Sequence, residues 1–134
     1  MAEQRTTNNT SVITRARRIY LTKITSGAIS EMPMVTQIAF GDGGVDEAGE
    51  PIQPNELQTS LNNEIGRYDI DEVTYPVETT ARYTVTIPEG DLIGKKISEM
   101  ALVDSGGGLC AIKTMYVKQK DEGVKFTFEF DDEF

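Results

Sequence analysis

Ile97-Ser98-Glu99-Met100-Ala101-Leu102-Val103 is apolar at nearly every position. A strand with one face in water alternates, whereas a strand covered on both faces does not. The run therefore predicts a central strand. Asp104-Ser105-Gly106-Gly107-Gly108 follows as a turn signal, and a further strand is expected from Leu109 to about Val117. Upstream, Ala81, Tyr83, Val85 and Ile87 alternate with Thr80, Arg82, Thr84 and Thr86, the period of a half-buried strand. Downstream, Val124, Phe126, Phe128 and Phe130 repeat with period two. Asp131-Asp132-Glu133 is expected to end pairing there with charge. Tyr68 and Ile70 share one phase and Val73 and Tyr75 the other, so a bulge is expected at Asp71-Glu72. Val35 to Phe40 reads as a strand stopped by the turn Gly41-Asp42-Gly43-Gly44, with glycines supplying backbone angles that other residues avoid. Residues 41–56 form a loop rich in Gly, Pro, Asp and Glu.

Two segments carry helical spacing. Ile13, Ala16, Tyr20 and Ile24 recur on one side of an N-terminal helix, with Thr10 or Ser11 as its cap and Gly27 beyond its end. Its apolar arc, from Ile19 round to Leu21, spans about 200° and is wider than one-sided burial needs. Arg17 and Lys23 fall inside that arc, and Arg15 and Arg18 lie on the polar side. Leu57, Leu61 and Ile65 stand at i, i+4 and i+8 and predict a short second helix near 55–65. The expected fold is α+β: an antiparallel sheet or sandwich of about six strands, with an N-terminal helix and a short second helix. The chain of 134 residues is read as a flexible arm over 1–10 and a single domain over 11–134.

Composition narrows the function. The chain has no histidine and no tryptophan, one cysteine, and a net charge of −9. Histidine-based acid–base chemistry, a Ser-His-Asp triad and His-ligated zinc are thereby excluded. The acidic balance argues against nucleic acid or an anionic membrane as a partner. No apolar run is long enough for a membrane helix, and the N-terminus lacks the apolar core of a signal peptide. The charge is polarised. Residues 1–27 carry five basic side chains and one acid, a net +4, which leaves −13 for the remainder. A basic front on an acidic body suits contact with an acidic surface, such as a neighbouring copy.

Candidate chemistry is sparse. Gly41–Gly44 lacks the Gly-Lys-Ser/Thr of a phosphate loop, and Gly106–Gly108 lacks dinucleotide-binding spacing. Asp42, Asp46 and Glu47 could offer oxygens to calcium but do not match EF-hand spacing, so an acidic solvated loop is the better reading. Asp131, Asp132 and Glu133 read the same way. Glu99 sits mid-strand on the face of Ile97, Ala101 and Val103. A buried lone carboxylate is costly, so a structural partner is expected, with Arg67 or Arg17 as candidates. Cys110, in an apolar strand, reads as an inert small hydrophobe. No enzyme activity, cofactor or metal is expected.

The order of the pieces resembles a known family. A helix leads to Ala39-Phe40-Gly41-Asp42-Gly43. Then come Leu57-Gln58-Thr59-Ser60-Leu61-Asn62-Asn63-Glu64-Ile65 with Arg67 close behind, then Ile97 to Asp104, a glycine turn and Leu109-Cys110-Ala111-Ile112. Over about residues 11–130 this is similar to the N-terminal domain of phage tail-collar fibre proteins. Ala101 stands where that family usually has glycine. Family members usually continue into a long fibre with receptor-binding tips, and the chain stops at Phe134. The resemblance implies the attachment end of a fibre, or a small tail or baseplate protein, without host-receptor recognition. The expected partners are other tail or baseplate proteins and further copies of the chain, in a virion tail assembled in the bacterial cytoplasm. Arg15, Arg17, Arg18, Tyr20 and Ile24 are the expected interface, with the arginines meeting acids across it. The rival readings are a glycan-binding adhesion module, which would need exposed aromatics, and a carboxylate glycosidase using Glu99 or Asp42.

Overall fold

The computed structural model describes residues 10–134. The arm expected over 1–10 lies outside these residues except for Thr10. The described residues form eight strands and one helix: β1 (Ser11–Ile13), α1 (Arg15–Thr25), β2 (Val35–Gly41), β3 (Glu64–Asp69), β4 (Glu72–Val77), β5 (Thr80–Ile87), β6 (Lys96–Asp104), β7 (Leu109–Gln119) and β8 (Phe126–Glu133). Every pairing is antiparallel. One sheet has the order β1-β7-β6-β2-β3, the other β4-β5-β8.

The two sheets pack face to face. Ile38 and Phe40 of β2, Met100 and Leu102 of β6, and Cys110 of β7 meet Val85 and Ile87 of β5 and Phe128 and Phe130 of β8. The Phe40 and Phe128 rings, 4.9 Å apart between centroids, join the layers. The larger sheet has a second buried face. Ala39, Ala101, Val103, Leu109 and Ile112 pack there against Leu61 and Val12. This double burial is why residues 97–103 read as a continuous apolar run, and β6 is indeed central.

Several expectations need correction. The second helix is absent: residues 54–63 make one turn and then an irregular path into β3. The Asn55 side chain accepts from Leu57 N–H and its backbone carbonyl from Gln58 N–H, which closes a single turn. Leu61 is drawn onto the back of the sheet while Leu57 stays 65% exposed, so the helical spacing never acts as a face. Six expected strands become eight. β1 adds a strand that no period-2 pattern marks, and the slip at Asp71-Glu72 is no bulge but the corner where the chain leaves one sheet for the other. β8 does not end at Phe130. Asp132 pairs with Ala81 and Glu133 with Thr80, so the acids lie within the ladder. The N-terminal cap is Thr14 rather than Thr10 or Ser11, and its side chain accepts from Arg17 N–H. Gly27 does follow the helix with φ of 85°, the left-handed conformation a helix stop favours.

Candidate functional site

The motif pieces that stand far apart in the sequence meet at one carboxylate. Glu99 is 1% exposed. Its Oε2 accepts from Gly43 N–H at 2.9 Å and Asn63 N–H at 2.9 Å, and its Oε1 from Asn62 N–H at 3.0 Å. Beside it, Ser98 Oγ accepts from Gly44 N–H at 2.8 Å. Asn62 Nδ2 returns a bond to Gly43 C=O, and Asn63 Nδ2 one to Asp42 Oδ1. The glycine turn, the Asn62-Asn63 segment and the central strand are thus knotted through backbone amides. Three donors on one carboxylate compensate its burial without a cation.

This overturns the expected partners of Glu99. Arg67 instead holds Glu64 on its own strand at 2.7 Å, and Arg17 is engaged elsewhere. The face assignment also changes. The β6 register shifts between Ile97 and Glu99, which sends Ile97 into the inter-sheet core while Ala101 and Val103 stay on Glu99's side. The role of the turn glycines changes too. None of Gly41, Gly43 and Gly44 has positive φ. They are small because the knot is tight. A Cβ on Gly41 would lie 2.5 Å from Asn63 O and from Glu99 Oε2, and one on Gly44 would collide with Ser98 O.

The second site is α1. None of its residues is buried. Ile19 is 44% and Tyr20 38% exposed, while Arg17, Leu21 and Ile24 are half-buried. The helix is held at its N-terminal end. Thr14, fully buried, donates its hydroxyl to Leu109 O at 2.7 Å, and its N–H bonds Cys110 O. Arg17 meets Asp132 in a two-pronged pair, Nη1 to Oδ1 at 2.8 Å and Nη2 to Oδ2 at 2.6 Å, with its guanidinium 5.2 Å from the Phe134 ring centroid. Burial works against the Arg17 charge, and the Asp132 bonds more than offset it, so the pKa is raised. Arg18 pairs with Glu56 at the surface. The acids met by Arg17 and Arg18 are therefore in their own chain. Arg15 has no ion pair among the described residues.

Asp132 is not the solvated acid its charged neighbours suggest: it is 4% exposed. The phase of Phe126, Phe128 and Phe130 already puts it on the inner face, where an acid needs a polar partner. Asp131, on the outer face, is held below the usual carboxylate range by its hydrogen bond to Arg82 at 2.8 Å. Lys120 carries no sequence signal of its burial. It is fully buried, with Nζ 3.2 Å from Glu89 O. The acids weighed for calcium do not converge. Asp46 Oδ1 accepts from Ala48 and Glu50 N–H, and Asp42 is bonded to Asn63. Among the described residues no three His, Cys, Asp or Glu gather closely enough to hold a metal ion. Cys110 is buried, and burial pushes its thiol up to about 12. No helix of the described residues is long and apolar enough to cross a membrane. No family model, curated protein or solved structure matches the chain.

Proposed function

We propose that the protein is a structural component of a phage tail or phage-tail-like particle. It docks at the baseplate or tail tip as a fibre-attachment or small tail protein, and α1 is the docking surface. The proposal carries the motif resemblance together with one observation: α1 buries none of its residues although Ala16, Tyr20 and Ile24 recur at helical spacing and Ile19 and Tyr20 stay exposed. An isolated helix of eleven residues is marginal in water, and packing normally stabilises it. Here the chain itself supplies the clamp at the helix start and partial cover for Leu21 and Ile24. A second chain on the free side would complete the burial. Arg15 and Lys23, flanking Ile19 at four-residue spacing, suit an acidic partner.

Particle assembly in the producing bacterium tests this. Tyr20→Asp with Arg15→Glu leaves the Arg17–Asp132 pair intact, so the purified variant should fold as the parent does. It should be missing from purified particles. Incorporation at the parent level would refute the docking role of α1.

A further inference from the structure

Two elements of opposite charge stand side by side with their apolar residues exposed. β4 is an edge of the three-stranded sheet and is exposed at every residue. Val73, Tyr75 and Val77 are 41%, 71% and 57% exposed. An exposed apolar edge is a liability that folded proteins usually cover. A further strand suits this edge poorly. Pro76 has no N–H to donate, and the pairing with β5 shifts between Thr74 and Val77. Cover by side-chain packing, as from a helix, needs no backbone ladder. The strand is also acidic: from Asp69 to Glu78 there are four acids and no base. Glu72 and Glu78 are exposed and have no ion pair among the described residues.

α1 is the converse, with four bases and no acid from Arg15 to Thr25. Arg17 and Arg18 are paired, while Arg15 and Lys23 have no ion pair among the described residues. Arg15, Ile19 and Lys23 form one stripe at four-residue spacing, on the side of the helix turned away from Arg17. The two elements adjoin. Phe134 N–H bonds Thr79 O in the turn after β4 at 2.9 Å, and the Phe134 ring lies against the Arg17 guanidinium. Tyr83 of β5 stands between them. Burial raises its pKa, and Asp132, Arg17 and Tyr75 are all close enough to act on it.

We infer that two copies form a dimer about a two-fold axis beside Phe134, each laying the Arg15–Ile19–Lys23 stripe of α1 over β4 of the other. Ile19 and Tyr20 meet Tyr75 and Val77, and Arg15 and Lys23 meet Glu72 and Glu78. A two-fold contact sets the same pair of surfaces together twice, so basic helix meets acidic strand at both ends. Packing α1 on α1 would instead oppose base with base, and β4 on β4 acid with acid. The inference rests on the reading of α1 as a docking surface and names a second copy as its partner.

Sedimentation equilibrium of the full-length protein over a range of concentrations tests it. The parent should pass from monomer to dimer and stop there. Arg15→Glu with Lys23→Glu should weaken the dimer about tenfold or more, and so should Glu72→Lys with Glu78→Lys. An equal mixture of these two variants should dimerise about tenfold more tightly than either alone, because both contacts again join opposite charges. Tyr75→Asp should weaken the parent dimer about tenfold or more. A parent that stays monomeric at its highest soluble concentration, or that grows past the dimer, overturns the inference. So does a mixture no tighter than its components, the result expected if residues 1–9 or a different face occupied either surface. A monomeric parent whose Tyr20 and Arg15 variant is still missing from particles would overturn the dimer and leave the docking role of α1. A dimeric parent whose Tyr20 and Arg15 variant enters particles normally would overturn the docking role and leave the dimer.

Discussion

Glu99 and Asp132 are both buried carboxylates, and the fold treats them in opposite ways. Glu99 is surrounded by amides of two loops folded back over its own sheet, and it needs no cation. Asp132 meets a single guanidinium from a helix that otherwise lies at the surface. The first arrangement closes a region. The second fastens an element by one end and leaves the rest of it free. A carboxylate held by neutral donors fixes backbone, whereas one held by a long cationic side chain positions a surface.

Substitutions should expose the difference. Glu99→Ala takes the acceptor from three part-buried N–H groups and empties a buried site, and should cost about 4 kcal/mol in urea unfolding. A loss below about 1 kcal/mol would mean that the amides find other acceptors and that the knot is not closed. Gly44→Ala comes next, at about 2–4 kcal/mol, because its Cβ meets the Ser98 carbonyl rather than a flexible side chain. Asp132→Ala should cost about 2–3 kcal/mol by leaving the Arg17 charge without its partner. Its distinctive mark would be a lower helical signal at unchanged β signal in circular dichroism, before global unfolding. A purely global transition would make the clamp part of the core and erase the contrast.

Smaller effects sharpen the same comparison. The folded-state pKa of Asp131 lies below its unfolded value because of Arg82. Its contribution is therefore fully present above the unfolded pKa and is lost as pH falls through the folded pKa, below about pH 4. Asp131→Asn should lower stability slightly at neutral pH, approach the parent as pH falls below about 4, and so flatten the acid limb; an unaltered acid limb would assign the loss to other carboxylates. Smallest of all, Ile19→Lys on the free side of α1 should change monomer stability by less than about 0.5 kcal/mol. A larger loss would show that the helix depends on that side within its own chain.

The regular parts of this fold were legible because period and burial agree. β5, β6 and β7 follow directly from alternation and from the apolar run. The glycine turn and Glu99 both stood out, but not that they form one site, since a carboxylate seeking amides leaves no charge pattern. Leu57, Leu61 and Ile65 misled because a local spacing was overridden by contacts with a strand far along the chain. Asp132 was misread by its neighbours Asp131 and Glu133, although its phase with Phe128 and Phe130 distinguished it. The bond between Arg17 and Asp132 spans 115 positions and no local pattern points to it.

That span has a consequence for the timing of synthesis. Ser11 pairs with Lys113, and Arg17 waits for Asp132. At about 5–20 residues per second, a ribosome that has released α1 needs roughly 5–25 seconds more to deliver its anchor. During that interval the helix segment has neither its clamp nor the sheet behind its cap. α1 is thus among the first segments made and among the last to acquire its anchor, so its place on the molecule is set only once the β-core exists.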